Sequence, residues 1–156
     1  EEQSHIVNTA SAAGLASLPG AAAYNVSKHG VVTMSETLWG EFQDIGIRNV
    51  GVSVLCPAFV PTKIAESQRP SEFADTKEHS KEGLKYAMNM QVAVKSGKKT
   101  ADDIAEETFA AISAGQRYIG PHKHKIGPLI VSRADCIANE RNPSSSSASL
   151  LPPVAK

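Results

Sequence analysis

The chain has 156 residues, which is the length of a single domain. Its 16 Lys and Arg balance its 16 Asp and Glu, and this net charge of zero argues against a nucleic-acid or polyanion partner. The sequence has two cysteines, no signal-peptide pattern and no apolar run of the roughly 18 residues that a membrane span needs. A disulfide framework and a membrane span are therefore not expected, and the composition predicts a cytoplasmic protein.

The first predicted elements are a strand, a loop and a long helix. Residues 5–10 include the apolar Ile6, Val7 and Ala10 and predict a strand buried in a parallel sheet. A loop of small residues follows over 11–21, and a helix is predicted over 22–45. Apolar residues recur along this helix every three to five positions, which is typical of a buried stripe; they are Val26, Val31, Met34, Leu38 and Phe42.

Three polar side chains in this stretch can do chemistry together. Tyr24 and Lys28 are four residues apart, so a helix places them on one face with Cβ atoms about 5–6 Å apart. An ammonium at that distance favours the ionised form of a phenol, which can then act as a general acid or base. Ser11, in the preceding loop, can hold a substrate oxygen beside the phenol. Tyr-x-x-x-Lys alone is a weak signal, and it is more often an i,i+4 pair on a solvated helix face.

A second strand, predicted over 48–56, ends at Pro57. Ligands bind at the carboxyl ends of strands in α/β sheets, and both Ser11 and the loop 57–62 follow such an end, so one shared site is expected there. The segment 63–100 is polar, with a helix predicted over 81–95; the family resemblance described below implies that it covers the substrate as a lid.

The remaining elements are predicted to be a helix that begins after Thr100, an edge strand over 117–120 and a helix over 125–140. His122 and His124 lie near one another without a third ligand, so no metal site is predicted. The Ser- and Pro-rich residues 144–156 predict a disordered tail.

The order of three motifs resembles the short-chain dehydrogenase/reductase family. They are Asn8-Thr-Ala-Ser11, Tyr24-x-x-x-Lys28, and Pro57-Ala58-x-Val60-x-Thr62, where the family has Gly at the position of Ala58. The similarity runs from about residue 5 to about residue 143. It implies an α/β Rossmann-like fold with a doubly wound parallel sheet, and an oxidoreductase that interconverts an alcohol and a ketone or aldehyde with NAD or NADP.

The resemblance also implies a role for each motif residue. Tyr24 would give and take the proton, Lys28 would favour its ionised form and contact the nicotinamide ribose, and Ser11 would orient the substrate carbonyl. Tyr24, Lys28, Pro57, Val60 and Thr62 would together contact the cofactor. In the family the long helix packs against a second subunit, so a homo-oligomer through residues 22–45 is expected.

The family's phosphate-binding turn, Thr-Gly-x-x-x-Gly-x-Gly, does not occur in this sequence. We therefore expect residues 1–143 to be the C-terminal part of a single Rossmann-type domain whose first βαβ units lie outside this chain. Two other hypotheses remain open. One is a truncated, non-catalytic homologue that acts as a protein-interaction module. The other, a hydrolase built on Ser11, is weaker because no Gly-x-Ser-x-Gly turn surrounds that serine.

Overall fold

The structure is a computed structural model that describes residues 2–66 and 81–143, without the side chains of 65–66 and 81–87. The predicted tail, 144–156, and part of the predicted lid, 67–80, lie outside the described residues. The elements in chain order are β1 (Ser4–Thr9), α1 (Ala22–Asp44), β2 (Val50–Leu55), α2 (Lys81–Lys95), α3 (Ala101–Ser113), β3 (Tyr118–Ile119) and α4 (Lys123–Ala138), with short 3₁₀ turns at Ala12–Gly14 and Lys63–Glu66.

The three strands form a parallel sheet in the order β1-β2-β3. β1 pairs with β2 from Ser4 opposite Val50 to Thr9 opposite Leu55, and β3 pairs with the carboxyl end of β2. Because β2 is paired on both sides, its last four residues are buried. The prediction that β1 is buried was wrong, since all six of its residues are exposed or half-buried and it pairs only with β2 in the described sheet. The predicted α/β class with a parallel sheet is confirmed.

The core lies beneath the carboxyl ends of β1 and β2. Ala10, Val32, Val54 and Cys56 form one buried cluster, and Leu15 and Val31 pack against it. Since Val32 belongs to α1, this cluster holds the long helix against the two strands. The strand ends that carry the predicted motif residues therefore rest on close-packed apolar side chains, which limits their movement.

Helix α1 has the predicted length but buries a different face from the predicted one. Val26 and Met34, expected in the core, are 74% and 53% exposed, whereas Val32 and Ser35 are buried. Ser35 tolerates burial because its hydroxyl donates to the carbonyl of Val31 at 2.7 Å and accepts from Asn8 Nδ2 at 3.1 Å. The apolar stripe in the sequence thus mixes core residues with residues of an outer surface.

Contacts divide the described residues into two units, 2–58 with 102–143, and 59–66 with 81–101. The second unit contains α2, where Ala93 and Val94 are buried. Within this unit the backbones of Gly97 and Phe59 are in close contact, because a Cβ at Gly97 would lie 2.5 Å from the carbonyl oxygen of Phe59. In the described part of the chain, no helix is long and apolar enough to cross a membrane.

Candidate active site

Ser11 lies directly beyond the carboxyl end of β1. The amide of Ala10 continues the ladder by donating to Leu55 O at 2.8 Å, and the chain then turns. Ser11 caps the 3₁₀ turn in an extended conformation, and its Oγ accepts a hydrogen bond from the amide of Ala13 at 3.2 Å. The hydroxyl proton of Ser11 has no acceptor among the described residues, so it can be donated to a substrate oxygen.

The turn after Ser11 packs directly against the backbone of α1. A Cβ at Gly14 would lie 2.6 Å from the carbonyl oxygen of Lys28 and 3.0 Å from Val32 Cγ2. No side chain fits in this space, so glycine allows the loop and the helix to touch. The far end of the loop is held too, because Asn25 Nδ2 donates to Leu18 O at 2.8 Å.

Tyr24 and Lys28 lie in the first two turns of α1, on the face that meets β1. Lys28 Nζ donates to the carbonyl oxygen of Thr9 at 3.2 Å and is 5.7 Å from the centroid of the Tyr24 ring. The second distance is within the range of a cation–π contact. Tyr24 is 36% exposed, so its phenol remains accessible to a ligand. The ammonium therefore lies close to both the phenol and the end of the strand that precedes Ser11.

The loop after β2 is tied to the loop after β1. The amide of Ala12 donates to Pro57 O at 2.8 Å, and the amide of Ala58 donates to His122 Nδ1 at 3.2 Å. Pro57 therefore lies next to the Ser11 turn. Val60 and Thr62 belong to the other unit, where Thr62 Oγ1 accepts from the amide of Ile64 at 3.4 Å; their contact with a cofactor stays a prediction.

Two residues of this region were not assigned a role from the sequence. Cys56 is buried under the Ser11 turn, and its thiol pKa is raised to about 11. Burial is the main cause and Glu36 adds to it, while a backbone hydrogen bond from Ser11 and the charge of Lys28 act in the opposite direction. The sequence offered His122 only as a metal ligand. In the structure its Nδ1 accepts a hydrogen bond from the amide of Ala58. No group of three His, Cys, Asp or Glu side chains that could hold a metal occurs among the residues described.

The structure thus places the Lys28 ammonium near both the Tyr24 ring and the carboxyl end of β1, and the turn that begins at Ser11 follows that strand end. This arrangement defines an α/β protein with a polar site where Rossmann-type enzymes place their ligands. A sequence model described as short chain dehydrogenase matches residues 1–72. With the relatives described below, this match identifies the chain as a member of the short-chain dehydrogenase/reductase family, as the motifs predicted.

The similarity extends to curated proteins and to solved structures. The chain is 32% identical over 142 residues to the CLA biosynthesis dehydrogenase/reductase of Lactiplantibacillus plantarum, covering 88% of this chain and 49% of that protein. It is 34% identical over 87 residues to 15-hydroxyprostaglandin dehydrogenase [NAD(+)] of Homo sapiens, covering 52% of this chain and 32% of the relative.

A short chain dehydrogenase/reductase from Burkholderia phymatum, solved in complex with NAD, superimposes with a TM-score of 0.85. It is 42% identical, and the match covers 92% of this chain and 51% of that structure. A short-chain dehydrogenase from Sphingobium yanoikuyae matches with a TM-score of 0.54 at 18% identity, which supports the fold alone. The chain spans about half the length of the Lactiplantibacillus relative and of the Burkholderia structure.

Proposed function

We propose that this chain carries the catalytic half of an NAD- or NADP-dependent oxidoreductase that interconverts an alcohol and a ketone or aldehyde. The observation that carries the proposal is the position of Lys28 Nζ, bonded to Thr9 O and 5.7 Å from the Tyr24 ring, beside the Ser11 turn. A family resemblance alone does not give the positions of the Lys28 and Tyr24 side chains. This geometry supports the three roles that the sequence predicts.

The donor set fits the nicotinamide end of such a cofactor. Lys28 uses one of its three N–H donors on Thr9 O, and the other two have no partner among the described residues, so they suit the hydroxyls of a ribose. The phenol of Tyr24 is accessible on the same helix face. When bound, the nicotinamide cofactor supplies or accepts the hydride.

The protein's own part in reduction is the transfer of one proton. Ser11 donates a hydrogen bond to the substrate carbonyl oxygen and fixes its position. The Tyr24 O–H bond breaks and its proton passes to that oxygen, which leaves an alcohol and a phenolate. The ammonium of Lys28, one helical turn further along α1, is a positive charge beside the ring that carries the resulting negative charge. In oxidation the proton travels the other way, from the alcohol to the phenolate of Tyr24.

We assign the remaining contacts of a dinucleotide to residues outside these 156. The sequence has no Gly-rich turn from a strand into a helix, which is the structure that would bind the diphosphate. The predicted division, with residues 1–143 as the C-terminal part of one Rossmann-type domain, belongs to this proposal. Both NAD and NADP belong in its test, because the resemblance to the family does not distinguish them.

We also propose that α1 contacts a second copy of the chain. Val26 and Met34 lie on its exposed side and are large apolar side chains open to solvent in one copy. Covering them in a homo-oligomer would remove that surface from water.

The test is a spectrophotometric assay of the protein expressed from its complete gene. NADH and NADPH are offered with a panel of ketones and aldehydes, and NAD and NADP with the matching alcohols. We expect turnover that Tyr24→Phe lowers at least 100-fold while cofactor binding persists. Ser17→Ala, an exposed hydroxyl in the same loop, is the matched control and should keep full turnover. Equal turnover in Tyr24→Phe and the unaltered protein would overturn the assignment, and failure to bind either cofactor would favour a non-catalytic interaction module.

A further inference from the structure

A second pocket lies at the opposite edge of the sheet from Ser11. Its volume is about 450 Å³, and its walls include His5 at the start of β1, Gly51 at the start of β2 and Arg117 just before β3. Because the three strands are parallel, these residues share the amino-end edge, whereas Ser11 follows a carboxyl end. The catalytic proposal uses no residue of this pocket. Its volume is within the range of about 300–1,000 Å³ that small-molecule sites occupy.

The pocket is cationic. Arg48 and Arg117 both line it, and no Asp or Glu is among its lining residues. In the part of the chain that the structure describes, neither guanidinium forms an ion pair with a carboxylate. Arg48 donates one hydrogen bond to Gln43 Oε1, which leaves four of its five N–H donors for other partners. Glu36, on α1, does not line the pocket, and it accepts a hydrogen bond from the Tyr118 hydroxyl at 2.8 Å.

Arg117 is held in place by stacking. Its Cζ is 3.2 Å from the centroid of the Trp39 ring, a distance at which a guanidinium stacks on an indole. The side chain also forms a hydrogen bond with Tyr118, and its remaining N–H donors are available to a ligand. A guanidinium that is already ordered loses less side-chain entropy when it binds an anion, which favours binding.

His5 lies in the wall of this pocket, and its hydrogen bond shows that one ring nitrogen, Nε2, carries a proton. Ser53 Oγ donates its single proton to Gln116 O at 2.6 Å, so at its 2.7 Å contact with His5 Nε2 it must accept. Nε2 therefore carries a proton, and the ring is fixed across the start of β2. A Cβ at Gly51 would lie 2.3 Å from His5 Nδ1, which means that glycine makes the room the ring occupies.

We propose that this pocket binds the phosphate group of a phosphomonoester. A phosphate monoester carries a charge of about −1.5 to −2 near neutral pH, which matches two guanidinium groups, whereas a carboxylate would match one. Arginine forks also bond to phosphate oxygens in pairs. The ligand would bind at the sheet edge remote from Tyr24, so it is a second ligand and not the substrate of the proposed reaction.

The chain has one tryptophan, Trp39, and it lies in this pocket, so its fluorescence reports binding directly. The 156-residue chain is titrated with inorganic phosphate and with glycerol 3-phosphate, and with acetate and chloride at matched ionic strength. We expect a saturable change with the two phosphates and none with the other anions. An equal response to acetate and phosphate would overturn the proposal.

Two variants and a control locate the site. Arg48→Gln should weaken phosphate binding at least 10-fold. Arg117→Met should do the same, measured by isothermal titration calorimetry because this change alters the surroundings of Trp39. Arg133→Gln removes the same charge from α4, outside this pocket, and should bind phosphate as the unaltered chain does. Unchanged affinity in Arg48→Gln, or an equal loss in Arg133→Gln, would assign the response to general electrostatics and overturn the proposal.

Discussion

The backbones of Gly14 and Lys28 are in contact, and no Cβ would fit between them. A Cβ at residue 14 would lie 2.6 Å from the carbonyl oxygen of Lys28, closer than such atoms approach in proteins. The loop that begins at Ser11 and the helix that bears the lysine therefore hold each other in position. The placement of the hydroxyl relative to the ammonium depends on this contact.

Replacing Gly14 with alanine should damage both folding and the candidate site. The new methyl group forces the loop away from α1, and we expect a loss of about 1–3 kcal/mol in the free energy of unfolding, as for other overpacked sites. Urea denaturation of the 156-residue chain measures it. Gly30→Ala is the matched control, because a Cβ at that helix position meets nothing within 4 Å. The control should be neutral or more stable by up to about 1 kcal/mol. Equal stability of the two variants would contradict the contact.

Replacing Lys28 with methionine should separate catalysis from stability. The phenolate of Tyr24 would lose its neighbouring charge, and we expect turnover of the complete protein to fall at least about 100-fold, the size of a lost acid–base function. The free energy of unfolding should change by no more than about 1.5 kcal/mol, because the interactions lost are one hydrogen bond to Thr9 O and a cation–π contact with the exposed Tyr24 ring. Lys123→Met, an exposed lysine at the start of α4, should change neither quantity. Turnover that survives in Lys28→Met would remove this residue from the mechanism.

The sequence was enough to predict the parallel sheet, because apolar strands are a local signal. The spacing of Tyr24 and Lys28 is a local signal too, and the active site at the strand ends stays a prediction that the contact of Lys28 Nζ with Thr9 O supports. The buried face of α1 was mispredicted, because Val26 and Met34 resemble core residues in the sequence although they are exposed. Burial of Ser35 depends on a hydrogen bond from Asn8, which lies 27 positions earlier, and a helical periodicity carries no information about such a partner.

His122 illustrates a second limit. In the sequence, its spacing from His124 was relevant only to metal binding. In the structure, its Nδ1 accepts a hydrogen bond from the amide of Ala58, 64 residues away along the chain. Only the folded sheet brings these two residues together. The same holds for the pocket at the amino-end edge, where Arg48 and Arg117 come from distant parts of the sequence.

Cys56 should be unreactive in the folded protein and should make stability depend on alkaline pH. Its thiol pKa is raised from 9.0 to about 11 in the fold, mainly because of burial. The raised value favours the folded state fully below about pH 9, and this contribution is lost as the pH rises through 11. Unfolding free energies measured from pH 7 to 11 should therefore decline above about pH 9, and less so in Cys56→Ala.

Alkylation gives an independent test of the same thiol. With iodoacetamide at pH 8, the half-buried Cys136 should react first, and Cys56 should be modified only when denaturant is added. A Cys136→Ser variant isolates the signal of Cys56. Modification of both cysteines at the same rate in the folded protein would mean that Cys56 is not sealed beneath the Ser11 turn.

The contact between Gly51 and His5 can be tested with a double-mutant cycle. A Cβ at residue 51 would lie 2.3 Å from His5 Nδ1, so Gly51→Ala should displace the ring and break its hydrogen bond to Ser53. We expect a loss of about 1–3 kcal/mol in the free energy of unfolding.

In a His5→Ala background the ring is absent, so the added methyl at residue 51 should cost less than about 1 kcal/mol. The two changes would then show a coupling energy of the size found for residues in contact. Gly127→Ala, where a Cβ meets nothing within 4 Å, is the control and should behave identically in both backgrounds. If the cost of Gly51→Ala is the same with and without the imidazole, the ring does not lie across the start of β2, and the wall of the phosphate pocket is built differently.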